Sequence, residues 1–183
     1  EKRSTMSRIS GSLDYNALKD CDFVIECIRY EANGERSTEL RKEVFKNLEK
    51  VLSPDAIIAT NATTVSISEL ASELQHKERC VSIHFPGISS EARLLEVVKG
   101  IFTSNEVLEK IYRFANLIKY TPVDVKENSG LVGSRLMVCM LNEACQILMD
   151  GLTSMEHIDE EFKLVYGPRS GIFELVDIMG IEK

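Results

Sequence analysis

What this sequence has little of narrows its class first. Its three histidines, His76, His84 and His157, lie far apart and in no ligand-spaced cluster, so no metal site is expected. There is no CxxC pair. Cys21, Cys27, Cys80, Cys139 and Cys145 are an odd set among mostly apolar neighbours, which points to reduced, buried thiols and a cytoplasmic or organelle-matrix protein. Basic residues are outnumbered, 22 Lys and Arg against 29 Asp and Glu for a net charge of -7, so the chain lacks the basic footprint of a nucleic-acid binder. Residues 1 to 20 are polar and charged, without the apolar stretch of a secretory signal. The most apolar segment, Gly130 to about Met149, is broken by Arg135, Asn142, Glu143 and Gln146, too often for a membrane span. What remains, 44% hydrophobic and 28% charged over 183 residues, is an ordinary globular composition for one domain or one and a fraction.

Strands and helices alternate over the first two thirds, the pattern of an α/β protein with a largely parallel sheet. Phe23 to Ile28 reads as a short buried strand after a helical turn near Tyr15 to Lys19. Ser37 to Leu52 reads as an amphipathic helix, with Leu40, Val44, Phe45, Leu48 and Val51 at helical spacing. Ala56 to Thr60 is a strand leading to the loop Asn61-Ala62-Thr63-Thr64. Ser66-Ile67-Ser68-Glu69 then has the form of a capping box. Ligands of open α/β sheets bind outside the carboxyl ends of strands, so Asn61 and the hydroxyls of this loop are candidate contacts. The alternative is a polar turn that only satisfies its own backbone. A second box, Thr103-Ser104-Asn105-Glu106, opens a helix to about Ile118, and Thr121 to Lys126 is a further strand.

Two apolar segments carry the best clue to chemistry. In Cys80-Val81-Ser82-Ile83-His84-Phe85 successive side chains face opposite ways, so Val81, Ile83 and Phe85 share one face and Ser82 and His84 the other. In Leu94-Leu95-Glu96-Val97-Val98 a carboxylate interrupts an otherwise fully apolar strand, where an unpartnered charge would be costly. A histidine is its natural partner, because a carboxylate beside an imidazole fixes the tautomer and stabilises the protonated form. The bland alternative is a satisfied core histidine and a rim glutamate.

From Gly130 to about Met149 the chain is apolar on most sides, and a helix of that kind must be covered. In a chain of this size the cover is expected from a second subunit, so a helical domain that dimerises is expected. Thr153-Ser154-Met155-Glu156 repeats the capping-box form and opens a helix to about Val165, before Gly167-Pro168, Gly171 and Phe173-Glu174-Leu175-Val176.

Taken in order, Asp22-Phe23-Val24-Ile25-Glu26, Ala59-Thr60-Asn61, His84-Phe85, Leu95-Glu96-Val97-Val98, Arg135-Leu136, Asn142-Glu143-Ala144 and Phe173-Glu174-Leu175 resemble the landmarks of the NAD-dependent 3-hydroxyacyl-CoA dehydrogenases. The resemblance runs from about Leu13 to the last residue. It implies a partial Rossmann-type sheet, residues 1–126, followed by an all-helical and incomplete substrate and dimerisation domain, residues 127–183. It implies interconversion of 3-hydroxyacyl-CoA and 3-oxoacyl-CoA with NAD(H), in fatty-acid or butanoate-type metabolism, by a homodimer in the cytoplasm or, in a eukaryote, the mitochondrial matrix. Carried over by residue, His84 exchanges the proton of the substrate 3-hydroxyl and Glu96 orients it. Thr63 and Ser134 complete the catalytic set, and Glu26, Arg41, Asn61 and Thr63 lie at the cofactor.

The sequence departs from that pattern at several places. Thr63 stands where the family has a serine, Ser134 where it has an asparagine, and Arg41 where it has a lysine. Pro86-Gly87-Ile88 replaces Phe-Asn-Pro, Ser129-Gly130 replaces Pro-Gly, and Tyr30 to Ser37 reads as an insertion. Nothing before Ile9 supplies a strand and a G-x-G-x-x-G turn, and the family's last segment does not follow Lys183. The chain is therefore expected to be a fragment, inactive by itself. Two other readings stay open. One is a dehydrogenase of another 3-hydroxy acid on the same scaffold, and the other a non-catalytic binding or dimerisation module.

Overall fold

The computed structural model describes residues 5–28, 38–86, 93–128 and 130–180. The departures at Gly87, Ile88 and Ser129 and the segment Tyr30 to Ser37 lie outside them. The chain divides into two compact units, residues 1–86 with 91–129 and, chiefly, residues 130–183.

The first unit is built on a five-stranded sheet of order β1-β2-β3-β4-β5 (Phe23–Glu26, Ile57–Thr60, Cys80–His84, Leu94–Lys99, Thr121–Lys126). Helix α1 is Thr38–Val51, α2 is Ile67–Leu70 and α3 is Asn105–Leu117. β1, β2 and β3 run parallel, β4 runs antiparallel to β3, and β5 parallel to β4. The expected, largely parallel sheet is thus interrupted once, at the β3–β4 pair. Apolar runs of this kind pair in either direction, so their residues alone do not set the sense.

Strand alternation splits the core into two clusters. Phe45, Leu48, Ile58 and Leu70 are buried on one side of the sheet, with Val24 packed against them. Ile57, Ala59, Val81, Ile83, Leu95, Val97 and the α3 residues Val107, Ile111 and Ala115 fill the other. Each fully buried large aliphatic or aromatic side chain contributes about 1.5–3 kcal/mol. One consequence fixes the site: the side chains that alternate with the second cluster, Glu26, Thr60, Ser82, His84 and Glu96, share the α1 face.

The helix starts correct the expected boxes by one residue. Ser104, not Thr103, caps α3 by accepting from the Val107 amide at 3.2 Å. Thr103 is buried instead, with its hydroxyl donating to the Cys80 carbonyl at 2.6 Å and accepting from the Gly100 amide at 3.0 Å. Ser66 caps α2 as expected, but that helix ends after four residues. Glu127, just after β5, accepts from the Ser66 hydroxyl and the Ser68 amide, both at 2.8 Å, so a distant carboxylate completes this turn.

In the second unit α4 (Val132–Met149), α5 (Met155–Tyr166) and α6 (Ile172–Met179) surround Ala144, Ile158 and Ile172. Ser154 caps α5 in place of Thr153, again one residue later than the box form. Asp159 is buried and accepts from the amides of Phe173 at 2.8 Å and Glu174 at 3.0 Å, which caps α6 from outside. Gly171, at the N-terminal boundary of α6, has no side chain to do this. α4 buries only Ala144 fully, while Val132, Leu136, Val138, Met140 and Met149 are exposed in the single chain. No helix among the described residues is long and apolar enough to cross a membrane.

Candidate active site

His84 ends β3 and Glu96 is the third residue of β4, and the antiparallel register makes them direct cross-strand partners. Nδ1 of His84 lies 2.8 Å from Oε2 of Glu96. The carboxylate side chain is 3% exposed and the imidazole 16%, so the ring seals the carboxylate while one side of it stays open. An ionised carboxylate only accepts, so Nδ1 carries the proton and donates, which leaves Nε2 as the basic nitrogen. The partner expected for Glu96 from its apolar strand is therefore present, and the arrangement can take up and return one proton.

The loop Asn61 to Thr64 follows the carboxyl end of β2 and stands beside this pair. The Phe85 amide donates to Oδ1 of Asn61 at 3.3 Å, so Asn61 reaches the residue that follows His84. Asn61, Ala62 and Thr63 are half-buried and Thr64 is exposed, which leaves the loop's polar groups accessible. Its local structure is set from β1 and β2: the Asn61 amide donates to the Glu26 carbonyl at 2.9 Å, and the Ala62 amide to the Thr60 hydroxyl at 3.1 Å.

Glu26 and Arg41, which the resemblance puts at the cofactor, engage each other. Arg41 sits on the apolar face of α1, spaced with Phe45 and Leu48, and is buried with them. Its Nη1 lies 2.5 Å from Oε1 of Glu26, and its Nη2 donates to the Ile28 carbonyl. The Ile28 amide donates to the same Oε1 at 2.5 Å, and the Thr60 hydroxyl to Oε2 at 2.6 Å. The Arg41 charge is thus retained at the strand ends, but its guanidinium faces inward. Partial desolvation and the Glu26 carboxylate push the neighbouring Cys27 thiol up, with Arg41 opposing; Cys27, Cys139 and Cys145 are exposed, against the expectation of buried thiols, and only Cys80 is buried. Ser134 lies near the start of α4 in the second unit, exposed. Among the described residues no cluster of three or more His, Cys, Asp or Glu side chains is arranged to hold a metal ion.

Sequence reasoning missed the Glu26–Arg41–Thr60 network. The signal was available: Arg41, Phe45 and Leu48 follow i, i+4, i+7 spacing, so an arginine on that stripe requires a buried acceptor.

Fold and site together define an α/β protein of the Rossmann-type class, with a histidine–carboxylate pair at the ends of its central strands. Residues 1–128 match the family model described as 3-hydroxyacyl-CoA dehydrogenase, NAD binding domain, and residues 130–183 the model of the 3-hydroxyacyl-CoA dehydrogenase C-terminal domain. The chain belongs to the 3-hydroxyacyl-CoA dehydrogenase family. It is 34% identical over 181 residues to a 3-hydroxybutyryl-CoA dehydrogenase of Clostridioides difficile, an alignment that takes in 99% of this chain and 62% of that protein. It is 32% identical over 179 residues to the mitochondrial hydroxyacyl-coenzyme A dehydrogenase of Sus scrofa, covering 97% of this chain and 55% of the other. Among solved structures, an (S)-3-hydroxybutyryl-CoA dehydrogenase from Ralstonia eutropha superposes with a TM-score of 0.85 at 30% identity, covering 99% of this chain and 62% of that one. The chain thus spans about three fifths of the length of these relatives.

Proposed function

We propose that the protein containing this chain is an NAD-dependent dehydrogenase that interconverts a 3-hydroxyacyl-CoA and the corresponding 3-oxoacyl-CoA. The observation that carries the reading is the His84–Glu96 pair, one ring nitrogen held by a buried carboxylate and the other side of the ring open, beside a polar loop at the strand ends. In the oxidative direction Nε2 of His84 accepts the proton of the substrate's 3-hydroxyl, and Glu96 stabilises the imidazolium that results. In the reductive direction the same nitrogen returns the proton to the 3-oxo oxygen. The Thr63 hydroxyl hydrogen-bonds the substrate oxygen, and the family resemblance alone adds Ser134 to the catalytic set.

The residues present fit a dinucleotide at this edge. Asn61, Ala62 and Thr63 offer accessible polar groups beyond the carboxyl end of β2, and Arg41 and Glu26 anchor the neighbouring strand end. NAD, when bound there, supplies the two-electron acceptor for the hydrogen on the substrate's C3. The names of the C. difficile and R. eutropha relatives support a short acyl chain and a role in fatty-acid or butanoate-type metabolism. The assignment of residues 1–126 to the cofactor and 127–183 to substrate and dimer belongs to the same reading. So does a cytoplasmic location, or the mitochondrial matrix in a eukaryote. The exposed apolar side chains of α4, Val132, Leu136 and Met140 on one side and Val138 and Met149 on another, support a homodimer, because a second copy is the simplest cover for them.

The test is reduction of acetoacetyl-CoA by the intact protein, followed by loss of NADH absorbance. Turnover in the wild type that disappears in His84→Gln supports the proposal. Equal turnover in that variant overturns the mechanism. Turnover only on free 3-hydroxy acids supports the same chemistry on another substrate. No hydride transfer in either direction, from NADH to a 3-oxo substrate or from a 3-hydroxy substrate to NAD, in a protein that still folds and dimerises, supports the non-catalytic module.

A further inference from the structure

We propose that Glu26 is a positioning residue: its buried carboxylate fixes the Asn61 to Thr64 loop through Thr60, and through Asn61 the backbone beside His84. The proposal rests on the dehydrogenase reading and adds to it a relay that no residue of the proton-transfer step contains.

Three strand ends are tied together in sequence. Oε1 of Glu26 receives Nη1 of Arg41 and the Ile28 amide, so the carboxylate is immobilised from α1 and from its own strand. Its other oxygen receives the Thr60 hydroxyl at 2.6 Å, and that hydroxyl in turn accepts from the Ala62 amide at 3.1 Å. A hydroxyl that donates on one side and accepts on the other has a fixed rotor, so the direction of the Ala62 amide, the first turn of the loop, follows from the carboxylate. Between these two contacts the Asn61 amide donates to the Glu26 carbonyl at 2.9 Å. Its side chain is thereby aimed at β3, where Oδ1 accepts from the Phe85 amide at 3.3 Å.

Register explains why these groups meet. Glu26 pairs with Thr60 and Thr60 with Ser82 in one row across the sheet, and His84 lies two residues further along the same face. The three side chains at the centre of the relay are removed from solvent, with Glu26 4%, Arg41 5% and Thr60 0% exposed, while Asn61, Ala62 and Phe85 are half-buried. The contacts are therefore little screened and hold one geometry. Packing alone would be served by an apolar residue at position 26, as at Val24 on the same face. A charged pair whose free acceptor is directed at the loop hydroxyl does more than fill space.

Glu26→Gln leaves the Arg41 charge buried without its counter-charge and is prone to misfold. The deciding variants are Thr60→Val, which keeps the volume and removes the hydroxyl, and Thr60→Ser, which restores it. Two readouts are taken on the intact protein: the backbone amide resonances of Ala62 and Phe85 without ligand, and kcat and KM per folded chain with acetoacetyl-CoA and NADH. In Thr60→Val both resonances are expected to shift and kcat to fall about 10- to 100-fold through misplacement of the loop, with the pH profile unmoved. Thr60→Ser is expected to restore both. An unshifted Phe85 amide in Thr60→Val, or shifted amides with unchanged kinetic constants, overturns the proposal. So does a lowered melting temperature shared by both variants with no kinetic difference between them, the result of a purely structural role. A wild type without turnover overturns the dehydrogenase reading instead. The amide resonances need no activity, so they still decide whether the relay exists.

Discussion

Nδ1 of His84 and Oε2 of Glu96 stand 2.8 Å apart because β3 and β4 run antiparallel, which places both residues at the same end of the sheet. A parallel β4 would point its first residues at the other end and leave the carboxylate unpaired in the core. The direction of one strand therefore decides whether this chain has a proton-handling group. Substituting His84 by glutamine keeps a polar side chain of similar reach but removes the titratable nitrogen. Turnover of the intact enzyme is expected to fall by about 10²- to 10⁴-fold, with the melting temperature near that of the wild type. Steady-state kinetics beside a thermal melt checks this.

Among the glycines whose surroundings are described, Gly171 has the least room for a side chain. A Cβ placed there would lie 2.1 Å from Cγ of Asp159, the carboxylate that caps α6. Gly171→Ala must displace that cap, with an expected cost of about 1–3 kcal/mol. The shift of the urea midpoint measures it, and an alanine variant as stable as the wild type would show that Asp159 can move away freely.

Acid should loosen the same corner. Lys163, 2.6 Å away, and the Gly171 amide hold the Glu174 carboxyl below the usual carboxylate range. A carboxyl depressed by folding stabilises the protein above its unfolded value, and that contribution is lost as pH falls through the folded value. Unfolding midpoints of the wild type and Glu174→Gln are expected to differ at neutral pH and to converge in acid. Parallel curves would remove Glu174 from the acid response.

Cys80 is expected to resist alkylation. Burial pushes its thiol up to about 12, so at pH 8 only about one molecule in ten thousand carries the reactive thiolate. Mass spectrometry after iodoacetamide treatment should find Cys80 unmodified in the folded protein and modified in urea. Labelling in the folded state at the unfolded rate would contradict its burial.

The exposed apolar residues of α4 give the proposed homodimer a test. A charge at the helix's most exposed central leucine, in Leu136→Lys, should convert a dimer into a monomer in sedimentation experiments. A wild type that sediments as a monomer would refute the homodimer, and a variant that remains dimeric would remove Leu136 from the contact.

Much of this was legible in the chain, for reasons that differ by residue. The helix over Thr38 to Val51 and the strands at Ile57 and Cys80 announce themselves by their periods, and a single carboxylate among apolar residues announces Glu96. The antiparallel sense of β4 was not legible, because Leu94 to Lys99 is apolar enough to pair either way. Two helix starts lay one residue beyond their box patterns. Thr103 and Thr153 precede serines that can cap equally well, and at Thr103 the Cys80 carbonyl claimed the first hydroxyl. Arg41 was legible as a buried cation from its place on the apolar stripe of α1, but its acceptor was not, since Glu26 lies 15 residues earlier on a separate element.

The antiparallel strand also makes one of the two polar pairs of the sheet local in sequence. His84 and Glu96 are 12 residues apart in the chain, whereas Glu26 and Thr60 are 34 apart. Closing the shorter loop costs about 0.9 kcal/mol less chain entropy. The proton-handling pair is thus a near-local contact, and the relay that aims the neighbouring loop is a distant one. During refolding the former is expected with the fast, low-contact-order part of the sheet and the latter with the parallel strands.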